Sequence, residues 1–389
     1  MSTEVRGRPA DLRARSSPFS ERQPIGIHVL ALVACAAVGV TDVAIFGASG
    51  SSILTVALLS SYAVVLLNRP HIPSQLGTRC FGVLVVWAAL SAFFHGVDGT
   101  SGLQSLLSIA CFWLALRVAQ MDRQRNPARY RQQLDLGIDI GFGVVVLGAL
   151  ALYFSGGAAF GGRVLSLTLL PFTISMLTRQ RRRHIAFGLL GLGVILLSLS
   201  RMALVAGFAV CLFLYIYRNR RGVRFRWVTG LTVAVIAVAL MLKWQPLSSR
   251  FFSGDTTIQI GGLAINSTGR TQVWTQLYRE SWLRPIAGHG LGSSRSAAAV
   301  INPSLDHPHN DYLRLFYELG LAGPLLFLGF MLTTTARILK NLRKSSFARP
   351  RVLAALCSVG SLGMAMVTDN PIVYLAVLIP TALVIADGT

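Results

Sequence analysis

Long apolar stretches recur along the chain, separated by short segments rich in Arg, Lys, Gly and Pro. A helix crossing ~30 Å of hydrocarbon needs roughly 20 apolar residues. The stretches that reach or approach that length predict spans near 25–46, 50–67, 80–95, 102–118, 136–155, 164–178, 185–199, 202–217, 227–242, 319–336, 352–368 and 371–386. The fold class is therefore an all-α polytopic membrane protein of about twelve transmembrane helices. Its expected organisation is a disordered basic cytoplasmic tail (1–23), nine spans (24–242), one long loop (243–318) and three further spans with a short cytoplasmic tail (319–389).

The basic residues test this alternation, because a missed or invented span would put basic clusters on alternating sides. They fall in the N-terminal tail, at Arg69 with Arg79, from Arg117 to Arg131, at Arg179, Arg181, Arg182 and Arg183, from Arg218 to Arg226 and from Arg337 to Arg351. All of these lie on one side, which makes both termini cytoplasmic. The stretch from Ile185 to Tyr217 would span roughly 50 Å as one helix, yet both its ends are basic. It is therefore expected to be a hairpin turning at Ser198-Leu199-Ser200-Arg201, with Arg201 near the outer surface. Leu32-Val33-Ala34-Cys35 has the form of a lipoprotein signal, but the apolar run continues to Phe46 and reads as a first span.

Composition agrees with this picture. Hydrophobic residues make up 53% of the chain and charged ones 13%, against about 25% charged in soluble domains, so the bilayer is the solvent. A formal charge of +21 suggests nucleic acid only where the basic residues share one polar face. Here they are split between spans and report topology, so no nucleic-acid partner is expected. The five cysteines all lie in or beside apolar stretches and offer neither a disulfide framework nor a zinc motif.

Nine basic residues stand apart from the cytoplasmic clusters: Arg163, Arg201, Lys243, Arg250, Arg270, Arg279, Arg284, Arg295 and Arg314. Seven of them lie in the loop, which is too long to be a mere connector. Within it, Arg270 precedes Val273, Trp274, Leu277, Tyr278 and Trp282, a spacing that predicts an amphipathic helix lying along the membrane surface, capped by Ser267 or Thr268. Arg270 at its start would meet an anion alongside free backbone N–H groups. Gly288-His289-Gly290-Leu291-Gly292 reads as a mobile turn. His309 opens a short helix, and its imidazole suits a general base at neutral pH.

Plainer readings stand beside these. His309 is equally a surface or helix-start histidine, Arg201 an interfacial snorkelling side chain, Arg270 a solvated helix-start residue, and the aromatic stripe a membrane anchor. His307 with His309 falls short of a metal site. Asp42 and Asp139, near spans, fit a transport pathway or buried pairing equally well.

The residues His309, Asn310, nine more, Gly320, Leu321, Ala322 and Gly323 resemble the motif of the O-antigen ligase and polymerase superfamily of bacterial membrane glycosyltransferases. Ser200-Arg201 and Gly269-Arg270 with Trp274 resemble its arginine sites, and 288–292 its glycine-rich turn. The likeness covers roughly Leu189 to Thr368. It implies a GT-C-like enzyme of the bacterial inner membrane, with its active site facing the periplasm. It would transfer a glycan, with inversion, from undecaprenyl pyrophosphate to lipid A-core oligosaccharide, without a metal or other cofactor. His309, Arg270 and Arg201 would be catalytic, and Arg201, Arg270, Asn310, Arg163 and Tyr312 would hold substrate. A polymerase joining lipid-linked repeats, of O-antigen or exopolysaccharide, is the alternative within the superfamily, and a protein O-oligosaccharyltransferase a third member. The compact outer loop favours the ligase. Outside the superfamily the rival is a secondary transporter, for which twelve spans are ordinary.

Overall fold

The computed structural model describes residues 26–41, 44–45, 48–69, 73–155, 162–179, 181–218, 228–232, 235, 243–252, 258–260, 263–267, 269–303, 305, 307–344 and 349–389. The expected tail at 1–23, Asp42 and most of the expected span at 227–242 lie outside them. Eight helices form the first part of the bundle: α1 (Ile27–Val40), α2 (Gly50–Leu67), α3 (Leu76–His95), α4 (Gly99–Arg125), α5 (Pro127–Phe154), α6 (Arg163–Thr178), α7 (Arg182–Leu197) and α8 (Arg201–Arg218). The long loop holds α9 (Gln245–Phe252), α10 (Arg270–Ser281), α11 (Ser293–Ile301) and α12 (Asp311–Leu319). The chain returns through α13 (Ala322–Lys344), α14 (Arg349–Thr368), a 3₁₀ turn at Pro371–Val373 and α15 (Leu375–Gly388). Two short antiparallel hairpins, at 44–49 and 258–265, are the β structure among the described residues.

Helices stand at eleven of the twelve expected span positions, and the hairpin between α7 and α8 turns at Ser198-Leu199-Ser200 as its basic ends require. Seven of the described helices, α2, α3, α4, α5, α8, α13 and α14, are long and apolar enough to cross a bilayer. Three others, α1, α6 and α15, are apolar but have only 14, 16 and 14 residues, or ~21–24 Å at 1.5 Å per residue.

Burial explains how short helices serve here. Every residue of α6 from Leu165 to Thr178 is buried, as is all of α15. A helix that is apolar on every side belongs in an interior. The pair packs together in the middle of the bundle, α15 also against α1, α4 and α14, and α6 against α5, α7, α8 and α14. Longer helices form the wall, so the central pair need not span the hydrocarbon alone, and its ends leave depth for a recess.

The segment 288–292 is not the mobile turn its glycines suggested. Leu291 O accepts from Asp98 N at 2.9 Å, and Val97 bridges Leu291, tying the turn to the start of α4. His289 N and Gly290 N donate to Tyr317 O and Glu318 O at 2.9 and 3.1 Å, and the His289 ring stacks on Tyr317. The glycines are needed for close approach: at Gly292, where φ is +87°, a Cβ would stand 2.4 Å from Asp98 O.

Gly292→Ala is therefore expected to lower stability by about 1–3 kcal/mol, the usual range for strained backbone, and to expose the loop to protease. Gly143→Ala, in a helix with open space around the new methyl, should leave both unchanged. Chemical unfolding in detergent and limited proteolysis of the two variants check this.

Candidate active site

Helix α12 presents the motif, and its hold on the bundle is polar and buried. Asn310 caps it, Oδ1 accepting from Leu313 N at 3.0 Å. One turn on, Arg314, 3% exposed, donates through Nε to Glu318 Oε1 at 3.1 Å and through Nη2 to Ser105 Oγ of α4. Glu318 also accepts from Ser294 Oγ at 2.5 Å. Asp311 Oδ2 accepts from Ile372 N at 2.9 Å, locking α12 to the turn before α15; burial pushes its carboxyl up to about 7. Arg314, one of the nine basic residues apart from the clusters, is thus a structural cation.

The loop also has its own small apolar core of Val273, Leu277, Ala298, Leu305 and Tyr317. Helix α10 contributes Val273 and Leu277 to this core. Its apolar face turns inward on α11 and α12, while Tyr278 and Trp282 remain half-exposed and meet Phe316 edge-on. The N-cap of α10 is Gly269, at φ +75° and without a side-chain cap bond, and of the two expected caps Thr268 lies outside the described residues.

His309 is buried, not a surface histidine, and stands at φ +50°. That left-handed conformation is uncommon away from glycine; among the described residues the other such case is Leu199, two residues before Arg201. Arg163 Nη1 lies 3.0 Å from His309 Nε2 and 3.2 Å from Nδ1. On the Nδ1 side stand Asn370 Nδ2 at 3.3 Å and the Asp369 carboxylate at 3.8 Å. Both ring nitrogens thus face a donor: Arg163 Nη1 reaches the two of them, and the Asn370 amide nitrogen stands with the Asp369 carboxylate on the Nδ1 side. Burial lowers the imidazole pKa; Asp369 opposes the shift, and Arg270 and Arg163 add to it. His309 is therefore neutral at pH 7. His307 is held down to about 3, chiefly by burial. Among the described residues no group of three or more His, Cys, Asp or Glu is arranged to hold a metal.

The arginines gather at helix starts. Arg163, Arg201 and Arg270 are the first residues of α6, α8 and α10. Arg270, 7% exposed, donates through Nη1 to Thr368 O at 2.7 Å, and its Nε is buried with no hydrogen-bond partner among the described residues. Burial first, then the Arg163 charge, pushes its pKa down to about 10, so it stays cationic at neutral pH. Arg201 also acts on it, and donates to Asn266 O at 2.8 Å. The other two expected residues have structural duties: Asn310 is the cap, and Tyr312 donates to Gly363 O at 3.1 Å. Asp139 pairs with Arg179, away from this cluster.

Asp369 and Asn370 escaped the sequence reading, which treated them as a turn between spans. The signal was present: Asp369 is the one acidic residue between Glu318 and Asp387, in otherwise apolar and basic sequence.

Residues 185–328 match the family model described as O-antigen ligase, so the resemblance is borne out over that segment. Among curated proteins, one from Rickettsia felis named "Putative polysaccharide ligase" is 26% identical over 225 residues, 54% of this chain and 52% of the relative. One from Rickettsia conorii with the same description is 24% identical over the same shares. The chain spans about half the length of these relatives. The matched segment includes Arg201, Arg270 and His309 but not Arg163, Asp369 or Asn370.

The charges around His309 set a pH expectation that needs no substrate. The neutral imidazole reacts with diethyl pyrocarbonate, and its half-maximal rate, followed by peptide mass spectrometry, should fall below pH 6.5, the ordinary value. Arg163→Gln removes a cation that disfavours imidazolium and should move the midpoint up. Asp369→Asn removes the group that favours it and should move the midpoint down. Shifts in the same direction would contradict this electrostatic account.

Proposed function

We propose that this chain is a membrane glycosyltransferase that moves a glycan from a polyprenyl diphosphate, undecaprenyl pyrophosphate, to a hydroxyl of lipid A-core oligosaccharide. In this reading the long loop and His309 face the periplasm, both termini are cytoplasmic, and the surrounding membrane is the bacterial inner membrane. The observation that carries it is one neutral imidazole with Arg163 and Arg270 acting on it and Arg201 acting on Arg270, each arginine at a helix N-terminus. Helix N-termini and guanidinium groups both favour phosphate oxygens.

The reaction divides between them. The acceptor oxygen attacks the anomeric carbon from the face opposite the diphosphate, and the new C–O bond forms as the old one breaks. The electron pair of the broken bond goes to the diphosphate, where Arg163, Arg201 and Arg270 stabilise the growing charge. The acceptor's proton goes to His309 Nε2, with the Asp369 carboxylate favouring a proton on Nδ1. A diphosphate oxygen competing for Arg163 would draw that guanidinium off Nε2 and free the base as the donor binds. The anomeric configuration inverts. Beside Arg163, an apolar cleft of about 240 Å³ lined by Val38, Val40, Leu165, Val373 and Leu375 suits part of the polyprenyl chain.

Because guanidinium groups neutralise the leaving group here, transfer should persist in the presence of a chelator. His309→Ala should lower turnover more than about a hundredfold, as loss of a general base commonly does, while membrane insertion stays normal. Arg270→Ala and Arg201→Ala should weaken donor binding or transfer. The deciding assay is reconstitution in detergent with lipid-linked glycan as donor, offering lipid A-core and a second lipid-linked repeat separately. Product on lipid A-core supports the ligase, and product on the repeat alone makes the chain a polymerase. Full activity of the His309 variant would remove its role as base.

A further inference from the structure

A second cationic recess lies at the far end of the bundle from His309. Helix α3 runs about 24 Å from His95, whose Cβ faces Gly290 of the loop, to Arg79 near its opposite end. There a cavity of about 450 Å³ opens between the ends of α2, α3 and α4. Arg69, Arg79 and Arg117 line it, and none of its described lining residues is acidic.

The three cations are differently engaged. Arg69 pairs with Asp122, which also meets His28 Nε2 at 2.9 Å. Arg79 is exposed and uses Nε on Ser74 Oγ at 3.1 Å. Arg117 is only 5% exposed, so its charge is held inside the wall of the recess. From this basic end the cavity continues along α3 over Gly82, Val85 and Val86 and against Trp113, whose Nε1 donates to Thr78 O at 3.1 Å. Val86 is 59% exposed on the bundle's outer wall, so the groove is open to the side. Two chemistries thus follow each other over about two helical turns: an anion-seeking head, then an apolar floor.

We propose that this groove holds an anionic phospholipid from the leaflet at the bundle's basic, cytoplasmic end, its phosphate between Arg79 and Arg117 and an acyl chain along Val85, Val86 and Trp113. Basic recesses between spans on that side are the usual form of headgroup site, and charge complementarity together with the apolar extension selects a lipid over a soluble anion. The same helix, α4, that carries Arg117 also carries Ser105 and the attachment of the glycine turn, so a lipid bound here braces the helix on which the outer loop rests.

The test is native mass spectrometry of the full chain in detergent, titrated separately with phosphatidylglycerol, phosphatidylethanolamine and soluble glycerol phosphate. Phosphatidylglycerol should be retained in preference to the other two. Arg79→Gln should weaken that retention about fivefold, equivalent to ~1 kcal/mol for one basic residue at a membrane surface, and Arg79→Lys should restore most of it. Arg79 is exposed, so an unchanged lipid-free melting temperature shows that the fold is intact; a lowered one moves the comparison to Arg79→Lys against wild type, where equal retention is expected. Equal retention by wild type and Arg79→Gln, or no preference for phosphatidylglycerol over phosphatidylethanolamine, overturns the site. Glycerol phosphate binding as well as the lipid overturns the acyl groove and leaves a free-anion site.

Discussion

Guanidinium groups repel one another, and here the charges of Arg163 and Arg201 bear on Arg270 while Arg163 and Arg270 bear on the His309 imidazole, which constrains everything else at that end of the bundle. At an effective dielectric of ~20, two unit charges 8 Å apart cost about 2 kcal/mol. Each of Arg163, Arg201 and Arg270 also occupies the first position of its helix, where the macrodipole already favours an anion. Stability alone would put acids there. The offsets are partial: Thr368 O and Asn266 O accept from two of the three arginines, and Asp369 is the carboxylate that acts on both His309 and Arg270. A dianionic group entering this cluster removes repulsion that the protein tolerates, which makes the arrangement a binding device in the proposed reaction.

Such a cluster must be held from outside. The buried network of Asp311, Arg314 and Glu318 does this, because removing one partner of a desolvated ion pair leaves an uncompensated charge. It connects α12 to Ser105 in α4 and to Ile372 before α15. The glycine turn adds backbone bonds to α12, at Tyr317 O and Glu318 O, and to the start of α4, at Asp98 N. Hence the loop core, the wall helix α4 and the central helix α15 share one junction, and His309 sits at it. The left-handed backbone of His309 is sustained because both flanks, Pro308 through Trp274 and Asn310 through its cap, are fixed.

Hydrophobic length and the positions of basic residues made the helices and the α7–α8 hairpin legible in the sequence, since both reflect the cost of burying charge in lipid. The motif at 309–323 and the arginines at 201 and 270 were legible as chemistry. What periodicity could not convey was which face of α10 turns inward: Val273 and Leu277 fit a membrane surface and a loop core equally well, and only contact with Tyr317 and Ala298 decides. The glycines of 288–292 misled for a related reason, because positive φ serves close packing as well as mobility. Nor does a span-length rule anticipate α6 and α15, whose shortness makes sense only inside a ring of longer helices.

The environment of His309 bears on how far local likeness can carry. Its Nε2 is met by Arg163, 146 positions earlier, and its Nδ1 by Asn370, 61 positions later. Both partners lie outside residues 185–328, the segment matched by the family model. That segment supplies His309 and two arginines but neither the Arg163 guanidinium nor the Asn370 amide that meets the ring. Those come from the start of α6 and from the turn leading into α15, the two helices buried on every side. The acid–base behaviour of His309 is therefore a property of the whole bundle: the pair of helices that fills its centre also delivers, at one end, the groups that orient its imidazole.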